Sequence, residues 1–153
     1  MADSGAVPVP TQLIGKTYTP FVYAVGREKV REYAAAIGES NPLHHEVEAA
    51  RAAGYADLLA PPMFAVVYCS SAFTTALFDP ELEIDFSRLV HGAQEFHWET
   101  PVVAGDEITT TVALKHVAER SGLRFDTFET TSVNQRDETT CVGAWATIVR
   151  GEE

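Results

Sequence analysis

The sequence of 153 residues predicts an α+β domain in which an antiparallel sheet wraps around one long, buried helix. Two observations support this fold. The segment Pro62–Phe78 is apolar nearly all round, which is typical of a helix buried on every side. From Leu89 onward, apolar side chains recur with a period of two, which is typical of strands. We expect a single domain over residues 11–150 and a flexible N-terminal arm over residues 1–10, which lack the features of a signal peptide.

The first half of the domain is predicted to contain one edge strand and two short helices. Residues 11–23 mix glycine, proline and aromatic side chains, so we expect an edge strand or an extended lead-in. Residues 27–37 are predicted to be helical and to end at Gly38. Residues 46–53 predict a second helix that is closed by Gly54. The buried face of the first helix is expected to carry Val30, Tyr33, Ala34 and Ile37.

The second half of the domain is predicted to be an antiparallel meander of four strands. Turns are expected at residues 104–106, 121–122 and 135–137. A sheet of this kind around an apolar helix is the hot-dog arrangement. Its edges leave room for a second subunit, so we expect a dimer. The residues that share a face in each strand are Val90, Gln94, Phe96 and Trp98; Ile108, Thr110, Val112 and Leu114; Leu123, Phe125 and Thr127; and Val142, Ala144, Ala146 and Ile148.

The composition excludes several classes of function. A net charge of -11 makes nucleic acid a poor partner, because phosphate binding needs a basic surface. The same charge argues against an acidic carrier protein unless a local basic patch overrides it, such as the one at Arg27, Lys29 and Arg31. No apolar run approaches the roughly 20 residues of a membrane span. Cys69 and Cys141 form no CxxC pattern, so we expect free thiols in the cytoplasm. The five histidines show no metal-ligand spacing.

The segment Gly38–His44 holds the candidate catalytic residues. Glu39 supplies a carboxylate and His44 an imidazole on one tight turn that Pro42 fixes. Such a pair can hold a water molecule between an acceptor and a base, as hydration of a carbon–carbon double bond requires. The alternative is a helix end with ordinary turn chemistry in which Asn41 acts only as a cap. The residues alone favour this alternative.

Five segments of the chain carry a resemblance to known enzymes. The segment Gly38–His44 resembles the signature of MaoC-type hot-dog hydratases, usually Gly-Asp-x-Asn-Pro-x-His. The other four resemble a narrower branch, the MaoC N-terminal-like or FAS1-like dehydratase domain of actinobacterial lipid metabolism, and they are Val25–Tyr33, Leu59–Phe64, Val90–Phe96 and Pro101–Asp106. The resemblance spans nearly the whole chain after the arm.

The resemblance implies an (R)-specific enoyl-CoA hydratase or a 3-hydroxyacyl-thioester dehydratase. The substrate would be an acyl-CoA or acyl-carrier-protein thioester, with the phosphopantetheine as part of the substrate and no other cofactor. The protein would act as a homodimer or as a heterodimer with another hot-dog subunit. Substrate binding is expected to involve Asn41, Pro62, Met63, His91 and Gly92.

Two departures from the family pattern bear on activity. Glu39 stands where the family has the aspartate that binds water with the histidine. Pro62 falls where the family has a glycine whose backbone N–H stabilises the oxyanion, and proline has no N–H. Met63 is then the nearby donor that remains. These departures keep open a non-catalytic subunit that binds the acyl chain or stabilises an active partner. A hot-dog thioesterase is a third option, disfavoured by the Asn-Pro-x-His signature.

Several other polar residues have a structural and a functional interpretation. His91 is either a partly exposed strand residue or, with Gly92, a pocket or dimer contact. Gln94 is expected to be a buried polar group that needs a partner. Three polar residues of the buried helix either line an acyl tunnel or fill the core, namely Tyr68, Ser70 and Ser71. The remaining histidines are expected at the surface, and they are His45, His97 and His116.

Overall fold

Within residues 7–151, which the computed structural model describes, five antiparallel strands form one sheet in the order β1-β3-β4-β5-β2. Strands β1 and β2 are the two edges of this sheet. The β3–β4 hairpin turns at Ser121 and Gly122, which both have positive φ. The strand bounds are Phe21–Ala24 for β1, Leu89–Trp98 for β2, Glu107–Arg120 for β3, Leu123–Val133 for β4 and Thr139–Arg150 for β5.

Three α-helices and five short 3-10 turns occupy the rest of residues 7–151. Helix α3 follows the 3-10 turn Pro62–Phe64 directly, so the predicted helix Pro62–Phe78 is confirmed with a tighter first turn. The helices are Arg27–Ala36 (α1), Val47–Ala52 (α2) and Ala65–Leu77 (α3). The other 3-10 turns are Thr11–Leu13, Pro42–His44, Pro80–Leu82 and Phe86–Arg88.

Helix α3 packs against β1, β3 and β4, which confirms the predicted sheet around a helix. Its buried side includes Tyr68 and Phe73, and Phe73 stacks on Trp145 of β5 with ring centroids 4.4 Å apart. The helix is not buried on every side, because Thr74 and Thr75 are exposed. The prediction for α1 was wrong at one position. Ile37 lies beyond the end of the helix and is 52% exposed.

The predicted alternation in the strands is confirmed for β3, where the expected face is buried. In β4 and β5 the alternation is present, but the fully buried residues are the intervening ones. In β2 the prediction for Val90 was wrong. A bulge between His91 and Ala93 shifts the register by one residue, so Val90 pairs with Ile148 on the outer face while Gln94 pairs with Trp145 on the inner face.

A buried ion pair accounts for the unexpected inner face of β4. The Arg124 and Asp126 side chains are fully buried and joined through three hydrogen bonds of 2.8 to 3.0 Å. Arg124 Nη1 also donates to the carbonyls of Pro8 at 2.8 Å and Leu82 at 2.7 Å. Residues 1–6 of the predicted arm lie outside the described part of the chain, whereas Pro8 and the buried Pro10 pack onto the domain. No helix within residues 7–151 is long and apolar enough to cross a membrane.

Candidate functional site

The loop that carries Glu39 and His44 is folded by its own polar groups. Gly38 has φ +73°, a conformation that glycine adopts readily at the end of a helix. The Asn41 side chain then caps the turn Pro42–His44 by accepting the Leu43 N–H at 3.1 Å. The Glu39 carboxylate accepts the Asn41 N–H at 2.8 Å through Oε1. The structural interpretation required this capping, and it is present. The second carboxylate oxygen of Glu39 accepts no hydrogen bond from the part of the chain that the structure describes.

His44 is held in the domain by one ring nitrogen. The residue is only 5% exposed, and its Nδ1 lies 2.6 Å from the Leu59 carbonyl oxygen. Because a carbonyl only accepts, Nδ1 carries the proton and donates it, and Nε2 of the neutral ring keeps its lone pair. The backbone supports this contact, because the Leu59 N–H donates to the Leu43 carbonyl at 3.0 Å. Nε2 makes no hydrogen bond to any residue in the range 7–151.

The two predicted catalytic side chains do not contact each other. Within the described residues, no hydrogen bond joins the Glu39 carboxylate to the His44 ring. The neighbouring residue His45 contacts the same loop. Its Nε2 lies 2.7 Å from the Glu39 carbonyl oxygen, and its own carbonyl accepts the Arg31 Nε–H at 2.9 Å. The prediction that His45 is a surface residue was wrong, since it is half-buried. A shared water would therefore have to bridge the two side chains for them to act together.

The turn before α3 begins three residues after Leu59, whose carbonyl holds His44, and it presents several backbone groups. The Pro62 carbonyl accepts the Trp98 Nε1–H at 2.7 Å, and the Met63 carbonyl accepts the Tyr33 hydroxyl at 3.0 Å. The Met63 N–H donates to no acceptor among the described residues, as is usual for the first N–H groups of a helix. Met63 is 42% exposed. A free backbone donor therefore remains at this helix start although Pro62 has none.

A pocket of about 260 Å³ lies between the turn before α3 and the end of β2. Its lining includes Leu59, whose carbonyl holds His44, and Pro62, which begins the turn. Neither Glu39 nor His44 lines it. The remaining lining residues are Tyr55, Ala60, Pro61, Phe64, Tyr68, Trp98, Glu99, Thr100, Pro101, Val102 and Thr140.

Residues 12–142 match the family model described as the FAS1-like dehydratase domain region. The chain belongs to this family. Two UPF0336 proteins are similar to it: one from Saccharopolyspora erythraea is 41% identical over 95% of this chain and 94% of that protein, and one from Leifsonia xyli is 43% identical over 96% and 99%.

Solved structures show that this FAS1-like dehydratase domain has the predicted hot-dog fold. The C-terminally truncated HadBC (3R-hydroxyacyl-ACP dehydratase) complex from Mycobacterium tuberculosis matches with a TM-score of 0.77 and 26% identity, over 89% of this chain and 96% of that chain. The (R)-hydratase from A. caviae, involved in PHA biosynthesis, matches with a TM-score of 0.68 over 88% of this chain and 94% of that chain. Its 21% identity shows the fold alone.

His91 and Gly92 lie in the bulge of β2, apart from the pocket of this FAS1-like domain. The His91 ring meets Trp145 edge-on at 6.1 Å, and the residue is exposed. Gly92 approaches Ile148 so closely that an added Cβ would lie 3.0 Å from its side chain. Gln94 is half-buried and donates to the Ala144 carbonyl at 3.2 Å, which supplies the partner it was expected to need. His97 and His116 are exposed, as predicted.

The pocket also contains residues that the sequence did not single out. Trp98 was placed on a strand, but its contact with Pro62 joins segments 36 residues apart. Thr140 carries no local signal. The signal in the sequence was a tryptophan at the end of a predicted strand, because tryptophan favours sites with one apolar and one polar side. No group of three or more His, Cys, Asp or Glu side chains in residues 7–151 could hold a metal ion.

Burial affects two ionisable groups at and beside the pocket, Tyr68 and Cys141. Burial raises the pKa of the Tyr68 hydroxyl far above its usual value. Burial also raises the pKa of the neighbouring Cys141 thiol, to about 12. Both groups are therefore neutral at physiological pH, so neither serves as an anionic nucleophile there.

Proposed function

We propose that the protein catalyses reversible hydration of trans-2-enoyl thioesters to (3R)-hydroxyacyl thioesters, with His44 as the base. One observation carries the proposal: the His44 ring is buried and fixed through Nδ1 to the Leu59 carbonyl, while Nε2 has no hydrogen-bond partner among residues 7–151. A fixed neutral imidazole with an open nitrogen suits a general base near neutral pH. The similarity to a (3R)-hydroxyacyl-ACP dehydratase complex supports the same class of reaction.

In the proposed reaction, His44 Nε2 removes a proton from water as the water oxygen forms a bond to C3 of the enoyl group. The C2–C3 π electrons move toward the thioester, and the negative charge develops on the thioester oxygen. The proton that Nε2 took is then delivered to C2 on the same face, so the net change is the addition of one water. The free carboxylate oxygen of Glu39 accepts the second water hydrogen and orients the attack.

The developing oxyanion needs a donor at the start of α3. We assign this role to the Met63 N–H on the ground that it is a free donor at the helix start, with no acceptor among the described residues. The dipole of the 13-residue helix α3 favours negative charge at this end. A single backbone donor is a weaker arrangement than a complete oxyanion site, since loss of one donor elsewhere costs roughly two to three orders of magnitude in rate.

The proposed substrate is a CoA or carrier-protein thioester, and the reaction needs no metal or redox cofactor. The two sheet edges, β1 and β2, offer unpaired backbone groups to another hot-dog subunit. One matching structure is a complex by name, the HadBC complex from Mycobacterium tuberculosis. A homodimer or heterodimer is therefore part of the proposal. The two free, buried cysteines support the cytoplasm as the compartment.

A second candidate is a non-catalytic subunit that binds the acyl chain or stabilises an active partner. Three observations favour it. Pro62 offers no N–H where the family has an oxyanion donor, and Glu39 contacts its own loop rather than His44. The formed pocket also lies beside Leu59, not against either predicted catalytic side chain.

Crotonyl-CoA separates the two candidates. The enzyme proposal expects the purified protein alone to remove the enoyl absorbance without release of free thiol. Activity that appears only after a second MaoC-type hot-dog protein is added, and that is unchanged in His44→Ala, would favour the non-catalytic subunit. Release of free thiol, followed with a thiol reagent, would instead indicate a thioesterase and would contradict both.

A further inference from the structure

The separation of Glu39 and His44 is set by the backbone of the loop that carries them. Within residues 7–151, no hydrogen bond joins the two side chains, so neither one holds the other in place. The proposed reaction needs both groups on one water molecule, and a catalytic group that is misplaced by about 1 Å can lose roughly a hundredfold in rate. The contacts that hold this loop therefore determine the geometry of the proposed site.

Helix α1 holds the first end of the loop. The Glu39 N–H donates to the Ala34 carbonyl at 2.8 Å, and the Gly38 N–H donates to the Ala35 carbonyl at 3.1 Å. These bonds fix the direction in which the chain leaves the helix. The Glu39 carbonyl, by contrast, takes its donor from the far end of the loop.

The far end of the loop is held by the side chains of His45 and Arg31. The His45 ring reaches back six residues along the chain, and its Nε2 lies 2.7 Å from the Glu39 carbonyl oxygen. Because a carbonyl only accepts, Nε2 carries a proton and donates it. Arg31 of α1 donates its Nε–H to the His45 carbonyl at 2.9 Å, and its Nη1 pairs with Glu28 of the same helix. Both ends of the loop are therefore joined to α1.

We infer that His45 and Arg31 are positioning residues that close this loop and hold Glu39 and His44 at the separation at which both contact one water. This inference rests on the proposed function. His45 follows His44 directly in the chain, so its hydrogen bond to the Glu39 carbonyl joins the two catalytic positions. His45 does not line the pocket, and it acts through Glu39.

The fold and the site depend on these contacts to different degrees. His45 and Arg31 are half-buried, and one hydrogen bond contributes little to overall stability, so its loss should lower the thermal midpoint by less than about 5 °C. The same loss lets the Glu39 carboxylate move away from the attacking water, so the rate should fall by about tenfold or more. A residue that served the fold alone would not combine a small loss of stability with a large loss of rate.

Steady-state hydration of crotonyl-CoA by variants of the full chain tests the inference. His45→Leu removes the donor and should lower kcat by at least about tenfold, while KM stays within about threefold because His45 does not line the pocket. His45→Gln keeps an N–H at a similar reach and should restore most of kcat. His116→Leu is the matched control, since His116 is exposed on β3. A kcat for His45→Leu within about twofold of the wild type would overturn the inference.

A double-mutant cycle shows whether His45 acts through Glu39. In the Glu39→Gln protein the charged acceptor is already lost, so adding His45→Leu should cost less than about threefold in kcat. A loss in that background as large as the loss in the wild type would contradict the inference, because the two side chains would then act independently.

Hydrogen exchange followed by NMR decides the inference even if the protein does not hydrate crotonyl-CoA. The Asn41 N–H donates to the Glu39 carboxylate, and the His44 N–H donates to the Asn41 carbonyl, so opening of the loop exposes both amides. In His45→Leu they should exchange at least about tenfold faster, with recovery in His45→Gln and no change at the Ala53 amide after α2. Unchanged exchange at both amides would overturn the inference at any level of activity.

Failure of the inference is distinguishable from failure of the proposed function. An inert wild type whose loop amides exchange faster in His45→Leu loses the proposed reaction and retains the role of His45 in holding the loop. An active wild type with unchanged kcat and exchange in His45→Leu retains the reaction and loses that role. If His45→Leu does not fold, Arg31→Gln removes the donor to the His45 carbonyl and takes its place with the same expectations.

Discussion

Two buried polar centres in this domain differ in how fully their hydrogen bonds are used. At the first, the Arg124 guanidinium donates hydrogen bonds to Asp126 and to the carbonyls of Pro8 and Leu82. Both oxygens of the Asp126 carboxylate accept from Arg124. At the second, His44 uses Nδ1 on the Leu59 carbonyl and leaves Nε2 open. Both centres are removed from solvent, since His44 is 5% exposed and the ion pair is fully buried.

The comparison shows that burial of a polar group does not by itself indicate a catalytic role. Burial raises the pKa of Asp126, and the hydrogen bonds from Arg124 act in the opposite direction, so the charge is maintained by a dedicated partner. Such a pair joins the N-terminal segment and the turn at Leu82 to the sheet. His44 retains an unused acceptor, which is what a reaction with a small molecule requires.

The largest effect on stability is expected from breaking the ion pair. Arg124→Met leaves the Asp126 carboxylate buried without a partner and should lower the free energy of unfolding by about 3–5 kcal/mol. Denaturant titration measures this. The double replacement Arg124→Met with Asp126→Leu should recover at least half of the loss, because no buried charge remains. A loss under about 1 kcal/mol in the single variant would show that the ion pair contributes little to the stability of the fold.

Glu39→Gln tests whether the Glu39 side chain does more than fold its own loop. Glutamine keeps an oxygen that can accept the Asn41 N–H, so the free energy of unfolding should change by less than about 0.5 kcal/mol. Loss of the charged acceptor should slow hydration of crotonyl-CoA by about ten- to hundredfold, because the attacking water is then less well positioned. Glu46→Gln, an exposed carboxylate two residues after His44, is the control. Unchanged kinetics in Glu39→Gln would show that the Glu39 side chain only accepts the hydrogen bond that folds its own loop.

A third charged group, Asp79, should make stability depend on pH. Burial alone would raise the pKa of Asp79, but hydrogen bonds from Lys16, the Glu81 N–H and Tyr18 together hold it below its usual value. A carboxyl whose pKa is lowered in the folded state stabilises the fold above its ordinary pKa, near 4, and loses that contribution as the pH falls further. Thermal unfolding between pH 6 and about 2 should therefore show a shallower decline for Asp79→Asn than for the wild type. Parallel curves would contradict this.

The smallest effect is expected at Thr147, whose buried hydroxyl has no partner among the described residues. Thr147→Val replaces the unsatisfied hydroxyl with a methyl group of similar shape. It should raise the free energy of unfolding by less than about 1 kcal/mol. Thr130→Val is the matched control, because the Thr130 hydroxyl accepts the Trp145 Nε1–H at 2.9 Å. That variant should lose about 1–3 kcal/mol by leaving the indole unpaired. Equal losses in both variants would indicate a hidden partner for Thr147.

The elements set by local patterns could be predicted from the sequence. Helix α3, the alternation in β3 and the turn at Gly38–His44 follow from periodicity and from glycine, asparagine and proline chemistry. The inner face of β4 could not, because Arg124 and Asp126 are polar and the usual pattern assigns them to solvent. The register of β2 depends on a bulge that no residue type in the sequence predicts. This bulge places Val90 on the outer face.

The candidate site divides in the same way. Glu39, Asn41 and His44 are close in sequence, so a motif could identify them, although their catalytic roles remain predictions. The pocket joins Leu59, Tyr68, Trp98 and Thr140 from four separate segments, and only the tertiary structure brings these together. Tyr68 alone among them was a candidate from the sequence, as one of the polar residues on the buried helix.

The hydration rate of crotonyl-CoA by His44→Ala, measured beside its unfolding free energy, tests the central claim most directly. We expect the wild type to hydrate this substrate and His44→Ala to remain folded but to lose at least about a hundredfold in rate, since the open imidazole nitrogen is the base. A rate within a few-fold of the wild type in folded His44→Ala protein would contradict the account.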